Sequence, residues 1–384
     1  MPKSELISLP LTLVLMAYAG VVAAATDTPL TIYQLAEKND AEILAAYASL
    51  QAERETRNQS KGALFPQISL TGEVAANRED IDAETATNSG ETSYNSHDVA
   101  LTLRQPLYRK DLFTDLSITD SNILVAESEY KAAQQDLITR VLTNFFEALA
   151  ARDNLEFSRA ERDAIEEQLE YTKKRYKVGK STVTDYLEAQ AAFDLSDAQV
   201  IAAQDLVKDT LDALYEMTGV PPKELAPLGK MFKPMTPEPL DAKHWVAEAE
   251  NKNPTLIAAR YEVQTASYEV DRFKSGHYPK FDVVARYGNE ETGGRFGDSN
   301  IDDASIALQL EFPIYSGGQV SSRVREALSR KQQAQDQMLG THRSVIRETK
   351  KVFRKTMTAM NRIKALSVAV KSTETALKSI KAGY

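Results

Sequence analysis

Two hydrophobic periods alternate along this chain. Apolar residues recur at helical spacing from Thr31 to Lys38 and again from Ala41 to about Gly62, where Ile43, Leu44, Tyr47 and Leu50 share a face. This predicts two helices, the second ended by Pro66. From Gln67 to Asn77 the period drops to two: Ile68, Leu70, Gly72, Val74 and Ala76 alternate with Ser69, Thr71, Glu73 and Asn77. Successive side chains of a strand point to opposite faces, so this is a strand with one apolar face. Residues 78–98, rich in Asp, Glu, Ser, Thr and Asn around Ser89-Gly90, predict a solvated loop. Val99, Leu101 and Leu103 then alternate with Ala100, Thr102 and Arg104 in a second strand that closes at Pro106.

The pattern returns to helix from about Lys110 to Lys177, with neither Pro nor Gly inside it. At 1.5 Å per residue such a helix spans about 100 Å, far beyond a globular one. Leu116, Ile123, Tyr130 and Leu137 recur every seven residues, and Leu137-Ile138, Val141-Leu142 and Phe145-Phe146 widen the stripe enough for more than one neighbour. The helix ends in Tyr176-Lys177-Val178-Gly179. Gly179 offers the left-handed position that terminates a helix, and Thr182 with Asp185 spells a capping box that starts the next. Residues 176–184 are therefore read as the tip of an antiparallel hairpin, returning through Thr182 to about Met217 with an alanine-rich face.

Residues 218–240 carry Gly219, Pro221-Pro222, Pro227, Gly229, Pro234, Pro237 and Pro239, a linker composition. The scheme then starts again. Asn253-Pro254-Thr255-Leu256-Ile257-Ala258-Ala259 parallels Asp40-Ala41-Glu42-Ile43-Leu44-Ala45-Ala46, and Pro313-Ile314-Tyr315 parallels Pro106-Leu107-Tyr108. Alternation predicts strands at about 280–288 and 304–312 around a Gly-rich acidic loop, followed by a long helix over 317–381. Pro66, Pro106, Pro279 and Pro313 mark the helix–strand switches. The expected organisation is a repeat over 26–217, a linker, and a second, incomplete copy over 241–384, in which Tyr384 falls opposite Tyr176. Helices and strands within each copy indicate domain duplication rather than a solenoid.

Residues 1–25 read as a secretory signal: Lys3, an apolar run from about Ile7 to Val22, then Ala23-Ala24-Ala25. Beyond it no stretch approaches the roughly 20 apolar residues of a membrane helix, so any membrane entry is as strands. Strands of ten residues match the apolar band of an outer-membrane barrel, but four cannot close one, since the smallest need about eight. Several chains must contribute: two would give a plugged bore, three a lumen. The competing architecture is a periplasmic coiled-coil adaptor or scaffold capped by an edge-protected sheet. That would call for a hydrophobic or lipidated anchor and lipoyl-like β segments.

The formal net charge of -9 argues against nucleic acid, whose phosphates need a basic surface. With no cysteine and four scattered histidines, His97, His244, His277 and His342, neither a metal site nor thiolate chemistry is expected. Phosphate loops, nucleophile elbows and dinucleotide fingerprints are likewise absent, so neither enzyme nor cofactor is expected.

The run Arg175-Tyr176-x-Val178-Gly179 with Thr184-Asp185, the run Pro313-Ile314-Tyr315-x-Gly317-Gly318-x-Val320-x-Ser322-x-Val324, and His342-Arg343-Ser344-Val345 resemble the outer membrane factor family across essentially the whole chain after residue 25. The resemblance implies a mostly α fold with membrane β: duplicated long helical hairpins forming a periplasmic α-barrel, and four strands per chain contributing to a trimeric twelve-stranded barrel in the outer membrane. It implies an exit duct for drugs, small molecules or proteins, partnered by a periplasmic adaptor and an inner-membrane pump or ABC exporter. Adaptor docking carries over to Val178, Gly179, Lys180, Ser181 and Thr182, although the family commonly has an apolar residue where Lys180 stands. Tip-closing contacts carry over to Gln168, Thr184, Asp185 and Tyr384.

Overall fold

A computed structural model of the chain describes residues 26–81, 90–229, 234–294 and 297–382. The expected signal segment and Tyr384 lie outside the described residues. In chain order come α1 (Pro29–Asn39), α2 (Ala41–Gly62), β1 (Gln67–Ile81), β2 (Gly90–Tyr108), α3 (Lys110–Lys177) and α4 (Val183–Thr218). They are followed by α5 (Ala242–Lys252), α6 (Pro254–Lys274), β3 (Lys280–Thr292), β4 (Ser299–Glu311) and α7 (Gln319–Ala382). The order helix, helix, strand, strand, long helix occurs twice.

These residues fall into two compact units, each discontinuous in sequence. One joins the segment ending at Asp40 to the segment that begins at Ile138; the other joins Ala41–Leu137 to the chain from residue 234 on. Helix α3 contributes to both.

The second unit holds one antiparallel sheet in the order β1-β2-β3-β4. Register fixes its faces, because directly paired residues project to the same side. Ile68 pairs with Leu103 and Leu70 with Leu101, Leu101 with Tyr287, Ala285 with Ile306, Val283 with Leu308 and Phe281 with Leu310. All of these belong to one apolar face, and most of it is bare: Leu70 is 72% and Ile306 83% exposed, while Leu103, Phe281, Val283 and Ala285 are half-buried. The opposite face carries Ser69, Thr71, Glu73, Thr102, Arg104, Arg286 and Ser305, with an ion pair between Arg286 and Asp98 at 2.9 Å. The outer edges of β1 and β4 have no strand beside them among the described residues.

The strands are longer than their apolar pattern. Residues 78–98, expected as a loop, are strand from Arg78 to Ile81 and again from Gly90 onward: Arg78 pairs with Ser93 and Glu73 with Asp98. The stretch 288–303 is corrected in the same way, with Gly288 opposite Asp303 and Thr292 opposite Ser299. The ladder is made by backbone groups, and here polar cross-strand contacts accompany it. Asn77 donates to Ser96 Oγ at 2.8 Å, Arg78 is ion-paired with Glu91, and Asn289 donates to Asp302 at 2.9 Å. Where both faces are polar, the period-two signal vanishes although the strand continues.

In the same unit α3 begins between α2 and α6. Toward α2, Arg57 meets Asp120 at 2.5 Å and Arg54 meets Glu127 at 3.0 Å; toward α6, Ser121 donates to the Tyr261 carbonyl and Arg272 pairs with Asp115. Up to Ser128 the buried positions of α3 are small, Thr114, Thr119, Ser121, Ala126 and Ser128, and Leu137 follows as the first large one. Small side chains let helices approach on two sides. The hydroxyls of Thr114, Thr119 and Ser128 return to the carbonyls four residues earlier, so burying them leaves no donor unmet. Helix α7 lies along α6, where Lys331 reaches Ser267 at 3.1 Å.

The other unit packs α1 against α4 and the later part of α3. Its buried side chains include Ile32, Ala36, Val141, Phe145, Val200, Ala203, Leu214 and Met217. Asp40, which caps the C-terminus of α1, accepts two hydrogen bonds from the Arg140 guanidinium, at 2.9 and 3.0 Å. Such a forked pair is strong and tolerates burial. Gly219 ends α4 in the left-handed conformation at φ 65°. Leu214 is fully buried in α4. Leu214→Ala is expected to remove about 2–5 kcal/mol of stability, read as a lowered denaturation midpoint, whereas Leu195→Ala, at an exposed position of the same helix, leaves the midpoint nearly unchanged.

Candidate functional site: the hairpin tip and the helix–strand switches

The turn from α3 to α4 is built by its backbone. Gly179 adopts φ 74°, a left-handed conformation that a Cβ would strain. Its N–H donates to the Tyr176 carbonyl at 2.9 Å, and the Lys180 N–H donates to the Arg175 carbonyl at 2.9 Å. Together these form a Schellman motif that satisfies the last carbonyls of α3. Thr182 then caps α4: its hydroxyl accepts from the Asp185 N–H at 3.1 Å, while the Asp185 carboxylate accepts from the Thr182 N–H at 2.9 Å. Ser181 Oγ adds a third bond to the same carboxylate at 2.7 Å. These hydrogen bonds, Ser181's first, hold the Asp185 carboxyl below the ordinary carboxylate value, so the clasp is complete at neutral pH and is lost only on acidification through that lowered value.

Around this turn Tyr176 and Tyr186 stack across the two arms, their centroids 5.7 Å apart and planes 10° from parallel. Arg175 lies over the Tyr171 ring and donates to the Lys180 carbonyl at 3.2 Å. Val178, Gly179, Lys180 and Thr182 are exposed and Ser181 is half-buried, and Val178 presents its side chain 68% exposed. Of the residues read as closing contacts, Thr184 and Asp185 are neighbours on the first turn of α4. Gln168 stands more than two helical turns back along α3, its side chain exposed and unconnected to theirs among the described residues. Tyr384 lies outside the described residues. The tyrosine stack was missed by the sequence reading; its signal is an aromatic ten residues from another, on either side of a glycine turn.

At the switches, Pro66 stands between α2 and β1, Pro279 just before β3, and Pro313 between β4 and α7. Pro106 is a correction: β2 runs through it to Tyr108, and the register shifts there. A proline cannot donate to the ladder, so it sits at a bulge inside the strand rather than at its end. Opposite it, the buried Asp282 carboxylate receives Arg104 at 2.6 Å and lies 3.6 Å from Arg109. Arg109 also grips Asp111 through two hydrogen bonds, at 3.1 and 2.8 Å. Burial works to raise the Asp111 carboxyl, but the hydrogen bond and charge of Arg109 outweigh it and the net shift is downward. The cluster thus clamps the exit of β2, the start of β3 and the first turn of α3. Sequence reading passed over Asp282; a lone acid in the apolar opening Phe281-Asp282-Val283-Val284 is the signal that could have found it.

No helix among the described residues is long and apolar enough to cross a membrane, and none of their His, Asp and Glu side chains form a group of three or more that could hold a metal ion. The bare apolar face of the sheet is the one extensive lipid-compatible surface described above.

Comparison with known proteins agrees with this arrangement. The family model described as outer membrane efflux protein matches residues 32–220 and 245–384. Outer membrane protein TolC of Vibrio cholerae is 31% identical over 357 residues, covering 92% of this chain and 80% of the relative. The alkaline protease secretion protein AprF of Pseudomonas aeruginosa is 28% identical, covering 91% and 75%. Among solved structures, CusC superposes with a TM-score of 0.73 at 14% identity over 93% of this chain and 82% of its own. The Vibrio cholerae outer membrane protein VceC gives 0.70 at 18% identity, over 91% and 84%. Matched by the family model in both halves and sharing the fold of these channels, the chain belongs to the outer membrane efflux protein family, whose members are outer-membrane transport channels with a periplasmic helical tunnel.

Proposed function

We propose that three copies of this chain complete one twelve-stranded barrel in the outer membrane and one helical tunnel in the periplasm. The assembly is a passive exit duct of a tripartite efflux or type I secretion system. It receives drugs, small molecules or proteins from an inner-membrane pump or ABC exporter through a periplasmic adaptor. One observation carries this reading: a four-stranded sheet with a bare apolar face and two unpaired outer edges. In lipid each unpaired backbone group costs several kcal/mol, so four strands demand partners, and copies of the same edge pair supply them by rotation. The secretion and efflux roles named for the relatives support the duct reading.

The tip residues Val178, Gly179, Lys180, Ser181 and Thr182 are the adaptor-docking surface in this scheme. Gln168, Thr184, Asp185 and Tyr384 are contacts that hold the duct closed between neighbouring hairpins. The Asp185 carboxylate already caps its own helix, and a capping carboxylate has lone pairs left to accept a further bond.

Native mass measurement in detergent is expected to give three chains, and planar bilayers to show discrete conductance steps; a monomer released by osmotic shock would support a periplasmic scaffold instead. Leu101→Arg, at the centre of the apolar face, is expected to cost about 2–4 kcal/mol at the bilayer midplane and to lower the yield of folded, heat-modifiable protein in outer-membrane fractions. Thr71→Arg, exposed on the polar face and opposite Ala100, leaves that yield unchanged. Asp185→Ala is expected to raise single-channel conductance, while Thr182→Ala, which opens the capping box but keeps the carboxylate, leaves it near the parent value. Equal conductance in all three proteins would remove Asp185 from the closing contacts.

A further inference from the structure

The hairpin tip reverses the charge of the chain that carries it. Between residues 171 and 187 stand Lys173, Lys174, Arg175, Lys177 and Lys180 against one carboxylate, Asp185, in a chain of formal net charge -9. That carboxylate is occupied by Ser181 and Thr182. Two of the cations have local tasks: Lys173 pairs with Glu170 at 3.1 Å, and Arg175 is held by Tyr171 and the Lys180 carbonyl. Lys174, Lys177 and Lys180 are exposed, and their ammonium groups make no hydrogen bond or ion pair among the described residues, although Lys174 and Lys177 lie within the field of the Glu170 carboxylate.

Helix electrostatics accounts for part of this. Cations in the last turn of α3 oppose the negative end of its dipole, which covers Lys174 and Lys177. It does not cover Lys180, which lies past the helix. In the Schellman motif formed here, Lys180 occupies the position whose N–H reaches back to Arg175, and those two side chains frequently make an apolar contact. This sequence puts a cation at each. A local preference overridden in this way, on an exposed turn where packing does not require it, points to selection by something outside the chain.

We infer that the tip docks on an acidic protein surface, with Lys174, Lys177 and Lys180 forming a cationic rim around the exposed Val178. The inference rests on the reading of the tip as the adaptor-docking surface and specifies the chemistry of that partner. An apolar side chain at the centre and charges at the rim is the usual anatomy of a protein interface. Rim charges act chiefly on the rate of encounter, so docking is faster at low salt.

The test uses the full-length channel in detergent, immobilised, with the purified hairpin domain of the periplasmic adaptor encoded in the same genome as the probe. Binding is followed at about 50 mM and about 300 mM salt, concentrations that bracket strong and weak screening. The parent protein is compared with the triple variant Lys174→Gln, Lys177→Gln, Lys180→Gln and with the same three positions changed to Arg. Assembly of all three is checked by heat-modifiability. The expected result is a loss of about tenfold in affinity for the Gln variant at low salt, mostly in the association rate, with the Arg variant close to the parent and the difference shrinking at high salt. A Gln variant that binds as tightly as the parent, with no salt dependence in either, overturns the acidic-partner inference while leaving docking intact. Failure of the parent to bind the probe at either salt overturns the docking reading and the inference with it. Parent binding to anionic lipid vesicles that the Gln variant loses, without adaptor binding, would assign the three lysines to a membrane surface instead and overturn the inference.

Discussion

An antiparallel ribbon whose two outer strands have no neighbour is an unfinished object, and here its unfinished edges frame a face that repels water. The edges of β1 and β4 display backbone donors and acceptors that only another strand or water can satisfy. The face between them, from Ile68 and Leu70 through Leu101 and Tyr287 to Ile306 and Leu308, is apolar and exposed. Water suits the edges and hydrocarbon suits the face. The proposed assembly satisfies both at once, because further copies pair edge to edge and the joined sheet curves shut with its polar side inward. Membrane placement and, in the proposed assembly, the need for further copies and a polar bore follow from that conflict. The Arg104–Asp282–Arg109–Asp111 cluster matters for the same reason, because it fixes how the ribbon passes into helix where the chain leaves the sheet.

The helices meet a different requirement. Where α3 begins between α2 and α6, its buried positions up to Ser128 are alanine, serine and threonine and ion pairs flank them, while the large buried side chains Ile43, Leu50, Leu256 and Val270 lie on α2 and α6. In the other unit the buried positions of α3 and α4 include Phe145, Leu214 and Met217, and one forked Arg140–Asp40 pair joins α3 to the end of α1. Small buried side chains allow neighbours on two sides, which suits a wall of parallel rods. Larger ones fill a conventional interior.

Much of this was legible from residue order. Period-two alternation located the centres of all four strands, and Thr182 with Asp185 announced the capping box that the structure forms. The strand extensions were illegible for a physical reason. Around Asn77, Arg78, Ser93 and Ser96 both faces are polar, so the backbone ladder continues without any hydrophobic signal. Pro106 misled in the opposite sense: proline ends most strands, but a bulge lets this one pass. Interactions across the sheet or across the tip, such as Asp282 with Arg104 and Tyr176 with Tyr186, depend on register and on turn geometry, which spacing along the chain does not encode. At the tip single residues serve two ends. Gly179 is demanded by the turn whatever docks there, and Asp185 caps its helix whether or not it also reaches a neighbour.

The most direct test of the account is covalent capture of the edge pairing it requires. The chain contains no cysteine, so one cysteine introduced at Ser69 in β1 and one at Ser305 in β4 place reactive groups only on the two outer strands, on the polar face. Treated with a short bismaleimide in outer-membrane vesicles, the double variant should give bands of two and three chains and none larger, while each single variant stays at one. A double variant that remains at one chain, or that ladders on past three, would contradict a barrel closed by three copies.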